Sequence, residues 1–350
     1  MSIISSYAGR AYKGFRGEVL VLPSRTVVLL FCLILLLLPL VMAHPYYLGI
    51  LFMASIFAIL AASWDLLSGY TGQMNFGHAL FFGVAAYTAA LLNLHFGLAP
   101  WLTIPLGALA AVLAGLVIGV PCLRLRGTYL ALATLAFPLI LIGIIFVFPD
   151  ITGGELGVFG IDSLSGSRTI DYYIAVTLMI GLGFVMWKIT ASKTGIIFHA
   201  IREDEVAAGA SGVNTTRYKL LAFCLSGLFA GIAGGLYAHF IGIAGPSTLA
   251  LMLSFQAVIW AIFGGIATIY GPIAGVFILY PPIEFLSGVS ETLSEIRMLL
   301  FAIIIVLVML FMPEGLTTWV RDKIEKVCPR CKMRNIATRK SCRVCTADLG

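Results

Sequence analysis

Charge is scarce in this chain. Only 11% of its 350 residues are Asp, Glu, Lys or Arg, against about 25% in a soluble domain. Hydrophobic residues make up 60% and the mean hydropathy is +1.04. A soluble fold of this length has no way to hide so much apolar surface from water. That excludes an ordinary cytosolic enzyme and a disordered chain. The G-x-x-x-x-G-K-[ST] loop is missing, so the chain does not cradle ATP phosphates in the usual way. Also missing is the dense line of intramembrane carboxylates that proton-coupled carriers often need. Seven cysteines are too few and too unevenly placed for a disulfide scaffold. Three of them, Cys32, Cys122 and Cys224, lie in or beside apolar stretches and read as packing residues. The 37 glycines have no collagen period. The net charge of +6 does not mark nucleic-acid binding, because the basic residues lie between and outside the apolar runs.

What is present is a series of apolar runs. A helix needs about 20 such residues to cross a bilayer. Ten candidates follow: 27–43, 46–66, 77–94, 101–120, 128–148, 172–190, 218–240, 249–265, 271–287 and 298–313. The expected class is an all-α polytopic membrane protein of about ten transmembrane helices. The first run is not read as a signal peptide, since 26 residues precede it and Val41-Met42-Ala43 is a poor cleavage site. Alternation from a cytoplasmic amino terminus puts 20 of the 22 basic residues on the inner side, leaving Arg168 and Arg297 outside. The outer loop 149–171 carries Asp150, Glu155, Asp162 and Asp171. A plasma-membrane protein with both termini cytoplasmic is expected. Its domains are a segment 1–26, a transmembrane part 27–315, a basic linker 316–327 and a tail 328–350.

Close helix contact in lipid relies on small residues. Gly227, Gly231 and Gly235 recur at spacing four, and Gly115/Gly119 and Gly271/Gly275 repeat it. These faces mark tight packing or surfaces that slide during transport. Few polar groups fall at membrane depth. Asp65 and Glu284 lie near expected span ends, where they reach water or cap a helix. His78 is a satisfied interior histidine or a pathway residue, and Gln256 is a pathway candidate. Two stretches break the apolar pattern, Ser68 to His78 and Gly264 to Pro272. Their glycines permit non-helical backbone, which must be buried or line a cavity. Gln73 and Asn75 in the first are further pathway candidates.

On the inner side, 195–211 reads as one amphipathic helix with Ile197, Ala200, Ile201 and Ala208 on a shared face and Gly212 as its stop. Asn214 or Thr215 caps the next helix. The loop 191–217 is either an inert connector at the membrane surface or a docking element. Beyond the last span, Cys328-Pro329-Arg330-Cys331 and Cys342-Arg343-Val344-Cys345 supply four thiolates at ribbon-like spacing. Structural zinc is the expected ligand, with redox thiols or iron as alternatives. Lys332, Arg334, Arg339 and Lys340 offer the tail a membrane-surface contact.

Four sets of residues carry a resemblance. They are Leu66 to His78, Arg124 to Ala131, Ala200 to Ala208 with Arg217-Tyr218-Lys219-Leu220, and Gly264-Gly265 with Tyr270-Gly271-Pro272. Over roughly 45–315 the chain resembles the branched-chain amino-acid ABC importer permeases, in particular the larger of their two permease subunits. The resemblance implies a fold similar to the vitamin B12 importer and an assembly with a second permease, two cytoplasmic ATPase subunits and an extracytoplasmic binding protein. It implies ATPase coupling through Ala200, Arg202, Glu203, Glu205, Ala207, Ala208, Gly209 and Gly212. It also implies binding-protein contact at Thr152, Gly153, Gly154 and Gly157. The cysteine tail is not part of that pattern. Competing readings are a urea or short-amide importer permease, an ATP-independent channel or secondary carrier, and a membrane scaffold for a zinc-dependent sensor tail.

Overall fold

The computed structural model describes residues 23–41, 44–122, 125, 127–289, 315–331 and 334–337, with isolated positions from 299 to 312 and at 341, 342, 345 and 348. The expectations for 1–22, for Arg124, Arg126 and Arg297, and for Lys332, Arg339 and Lys340 lie outside the described residues. So does most of the run 298–313. The chain divides into two units, Met42–Gly315 and Met1–Val41 with Leu316–Gly350.

The larger unit is helical. Its helices are α2 (Pro45–Trp64), α3 (Ala79–Phe96), α4 (Pro100–Cys122), α5 (Thr128–Val147), the single turn α6 (Pro149–Thr152), α7 (Arg168–Thr190), α8 (Lys193–Glu203), α9 (Glu205–Ala210), α10 (Thr215–Ile241), α11 (Leu251–Gly264) and α12 (Tyr270–Val289). In the smaller unit α1 is Pro23–Val41. Nine of the ten expected runs coincide with these helices within a few residues. Among the described residues, six helices are long and apolar enough to cross a membrane, and two shorter apolar helices accompany them. The chain is an all-α polytopic membrane protein.

Local chemistry sets the ends. Pro45 opens α2 behind His44, whose ring accepts a hydrogen bond from the Tyr46 amide. Gly97 and Gly242 close α3 and α10 in the left-handed conformation that glycine adopts without strain. Helix α2 lies at the centre, packed on α7, α10, α11 and α12, while α3, α4 and α10 pack on one another. Their contact is backbone-close. A Cβ on Gly231 would stand 2.8 Å from the Ala108 Cα, and one on Gly227 2.9 Å from the Phe81 ring. The spaced glycines therefore serve tight packing. By contrast α5 shows Tyr129, Leu132, Leu139, Ile140 and Ile144 at its surface.

Loops gather by parity. Residues 65–72 touch 202 and 267–268 at one end of the unit. At the other end Asn93, Asp162 and His239 interlock. A two-residue antiparallel ladder joins β1 (Val158–Phe159) to β2 (Ile243–Ala244) at that second end.

In the smaller unit, α13 (Leu316–Ile324) leads directly into β3 (Glu325–Val327), which pairs antiparallel with β4 (Arg334–Ile336). The expected linker 316–327 thus supplies the first strand of the tail's ribbon.

Candidate functional site: two helix breaks joined to an inner loop

The inner loop is two helices rather than one. Asp204 adopts an extended backbone between α8 and α9, and its Oδ1 accepts hydrogen bonds from the amides of Val206 (2.8 Å) and Ala207 (3.0 Å). An aspartate prefers this N-cap role to a helix interior. The single helix expected over 195–211 is corrected on that ground. The stop at Gly212 stands. Gly212 has φ +87°, the Val213 amide donates to the Ala208 carbonyl, and the Gly212 amide donates to Gly209. Asn214 caps α10, accepting from the Arg217 amide at 3.0 Å.

The eight residues assigned to coupling divide into two sets. Ala200, Glu203, Ala207, Gly209 and Gly212 are exposed. Nothing lies within 4 Å of a Cβ built at Gly209 or Gly212. The other three make contacts within the protein, although Arg202 is itself exposed. Ala208 is buried. Glu205 pairs with the Lys219 ammonium at 2.7 Å, and the Lys219 side chain is only 8% exposed. Arg202 donates to the Gly69 carbonyl at 2.6 Å. The buried face of α8 is Gly195, Phe198 and Ile201. Ala200, expected on that face, is exposed, and Phe198 takes its place.

Arg202 thus reaches the first helix break. The helix α2 does not simply end. It widens into a π-turn at Asp65–Gly69, a form rare in proteins and frequent at functional sites. Beyond it side chains bond much of the non-helical backbone. Trp64 Nε1 donates to the Asn75 carbonyl at 2.6 Å, and Ser68 Oγ donates to the Gln73 carbonyl at 2.8 Å. The Phe76 amide donates to Thr134 Oγ1 on α5, and the Ala79 amide to Ser254 Oγ on α11. Buried irregular backbone is tolerated at membrane depth on this condition.

Asp65 is the largest correction. Expected to reach water or cap a helix end, it is fully buried. Its Oδ1 accepts from the Ala267 amide at 2.7 Å and its Oδ2 from the Thr268 amide at 3.1 Å. The second break, between α11 and α12, is therefore capped by a carboxylate from the first. Glu284 is half-buried on α12.

The pathway candidates are enclosed. Gln73, Asn75 and His78 are all buried, and Gln256 is half-buried. Ser63 Oγ gives its proton to the Leu60 carbonyl, so its 2.8 Å contact with His78 Nε2 takes the ring's N–H. His78 Nδ1 then accepts from Asn75 Nδ2 at 3.3 Å. His78 has both ring bonds within the protein. Gln73 donates to Thr71 Oγ1 and to the Lys219 carbonyl, while its Oε1 has no partner.

At the opposite end of the unit from the breaks, Thr152 Oγ1 donates to the carbonyls of Ile145 and Phe148. Gly153, Gly154 and Gly157 all have positive φ, and Gly154 and Gly157 are buried. These residues shape a turn from which Leu156 and Phe159 project. In the tail, Cys328, Cys331, Cys342 and Cys345 bring their sulfurs within 4.8 Å of one another. The pairs Cys328–Cys345 and Cys331–Cys342 are each 3.5 Å apart. Sulfurs about 2.3 Å from a tetrahedral zinc stand roughly 3.8 Å from each other, so the four can hold a metal ion. Amides of Cys331 and then Arg330 draw the Cys328 thiol below its usual value, and Asn335 Nδ2 donates to Cys342 Sγ.

Residues 46–309 match the family described as the branched-chain amino acid transport system permease component. The chain belongs to that family. The LivM permease protein of the high-affinity branched-chain amino acid transport system of Salmonella typhimurium is 30% identical over 302 residues, 78% of this chain and 70% of the relative. LivM of Escherichia coli K12 is 30% identical over 313 residues, 81% and 71% of the two chains. The guanosine ABC transporter permease protein NupQ of Bacillus subtilis is 27% identical over 210 residues, 53% and 64%. This permease therefore carries its cysteine tail outside the family match. The π-turn, the Asp65 contact and the Lys219 pair were missed in the sequence.

Proposed function

We propose that this permease forms half of the translocation pathway of an ATP-driven importer for branched-chain or similar amino acids. It works by alternating access within a fold similar to the vitamin B12 importer. Ten spans leave both termini in the cytoplasm. A second homologous permease supplies the other half, two cytoplasmic ATPase subunits hydrolyse ATP, and an extracytoplasmic binding protein delivers substrate. The observation that carries this reading is the inner loop. Its exposed side is a small-residue shelf (Ala200, Ala207, Gly209, Gly212) open to a partner. Its other side is tied to the first helix break through Arg202 and to α10 through Glu205. A partner that moves α8 and α9 moves the breaks with them. At the other end, Leu156 and Phe159 offer the binding protein an apolar grip on the Thr152–Gly157 turn.

The shelf is tested with Gly209→Trp and Ala207→Trp, which fill open space without strain, whereas Gly212 would also resist on account of its φ. Both are expected to lose ATPase copurification and uptake. Retention of both would remove the docking role. A ligand screen on the partner binding protein separates amino acids from urea or short amides.

The tail supports a second, independent reading, a structural zinc held by Cys328, Cys331, Cys342 and Cys345. None of the four is in a disulfide, and the hydrogen bonds from Asn335 and the backbone amides suit thiolate ligands.

A further inference from the structure

The two helix breaks are separate in sequence and joined in space by one side chain. Asp65 accepts from two amides of the second break, those of Ala267 and Thr268. Ala267 is the one non-glycine with positive φ among the described residues, at +59°. Such a conformation costs about 1–2 kcal/mol and persists only where its surroundings enforce it. The enforcing contact is the Asp65 carboxylate. The fit is close, for a Cβ on Gly69 would stand 2.8 Å from the Asp65 carboxyl carbon and 3.0 Å from the Ala267 nitrogen.

The same π-turn is held from the other side by the inner loop. The Gly69 carbonyl lies at the turn's carboxyl end, where backbone oxygens lack helical partners and a cation is favoured. Arg202 fills that place. Gly72, with φ +72°, lets the chain pass beneath Arg202, whose Cα lies 3.5 Å from the position of a Cβ there. One unbroken series of contacts thus runs from α8 through Arg202 to Gly69, through the π-turn to Asp65, and on to Ala267 and Thr268 between α11 and α12. The pathway candidates Gln73 and Asn75 hang from the same π-turn through Ser68, whose Oγ donates to the Gln73 carbonyl and accepts from the Asn75 amide.

We propose that Arg202 and Asp65 are positioning residues that lock the two helix breaks to the inner loop, so that both breaks move as one body when α8 moves. The proposal rests on the permease reading above and adds the route by which motion reaches the pathway. The π-turn Asp65–Gly69 is the piece that both contacts share.

The test uses the full chain. Asp65→Asn keeps one acceptor and turns an amide N–H₂ against the second backbone N–H. Arg202→Gln is too short and uncharged to hold the Gly69 carbonyl, and Arg202→Lys restores a cationic donor. Hydrogen exchange at the amides of Ala267 and Thr268 is read first, in the purified permease. It is expected to speed up in Asp65→Asn and also in Arg202→Gln, far from the substituted residue, and to return towards wild type in Arg202→Lys. The second readout is amino acid imported per ATP hydrolysed by the assembled complex in vesicles. It is expected to fall about tenfold, the effect of losing one hydrogen bond to a charged group. Unchanged exchange at 267–268 in Arg202→Gln, or an unchanged import ratio in that variant, overturns the relay. If Asp65→Asn does not assemble, Arg202→Gln decides alone. A wild type that binds no ATPase subunit would count against the permease assembly, while a coupled wild type beside equally coupled variants counts against the relay alone.

Discussion

At the scale of single residues, the sharpest consequence concerns Lys219. Its side chain is 8% exposed and its ammonium is paired with Glu205 at 2.7 Å. Glu205→Ala leaves that cation enclosed and alone. The expected loss is about 2 kcal/mol, between the values for surface and buried pairs. A lower unfolding temperature of the detergent-purified permease measures it, and Glu205→Gln should lose less because it keeps an acceptor. Asp65 teaches a related lesson. In sequence it stands at the end of an apolar run and reads as a residue near water. Its partners lie 202 and 203 positions further along. Two backbone amides that need an acceptor leave no trace in composition or periodicity.

At the scale of elements, Asp204 carries α9 alone among its neighbours. Asp204→Ala removes the acceptor for two amides and is expected to cost about 1 kcal/mol of helix stability. Hydrogen exchange confined to 205–210 would report it. The apolar spacing from Ile201 to Ala208 runs straight through this cap, which is why periodicity alone reads one helix. In α10, Gly231→Leu drives a branched side chain into Ala108 and Ala111 of α4. Overpacking of that kind costs about 1–3 kcal/mol, and a thermal-shift measurement on the purified protein checks it. The membrane helices themselves were legible, because bilayer thickness dictates their length and apolar content. The glycine-rich breaks were legible as interruptions. The π-turn was not, since Asp65-Leu66-Leu67-Ser68-Gly69 has the composition of an ordinary helix end. At the outer turn, sequence found the glycines that bend the chain. The side chains that project, Leu156 and Phe159, became visible only with the bend in place.

At the scale of the whole molecule, the cysteine tail stands outside the stretch that matches the family. A tail of this length has little apolar core of its own, and its folding is expected to depend on a ligand. Metal analysis of the full chain should find zinc, and a chelator should expose 316–350 to protease while leaving the helices of 45–289 resistant. Protease resistance that survives metal removal would speak against a structural ion.

The outer ladder has a mechanical consequence for the permease as a body. Phe159 is tied to Ile243, two residues past the end of α10. Helix α10 is 27 residues long, a rod of about 40 Å. Near its far end sits Lys219, clasped to Glu205. A pull on the ladder is therefore delivered to the opposite end of the unit by a single stiff strut, without passing through the helix breaks.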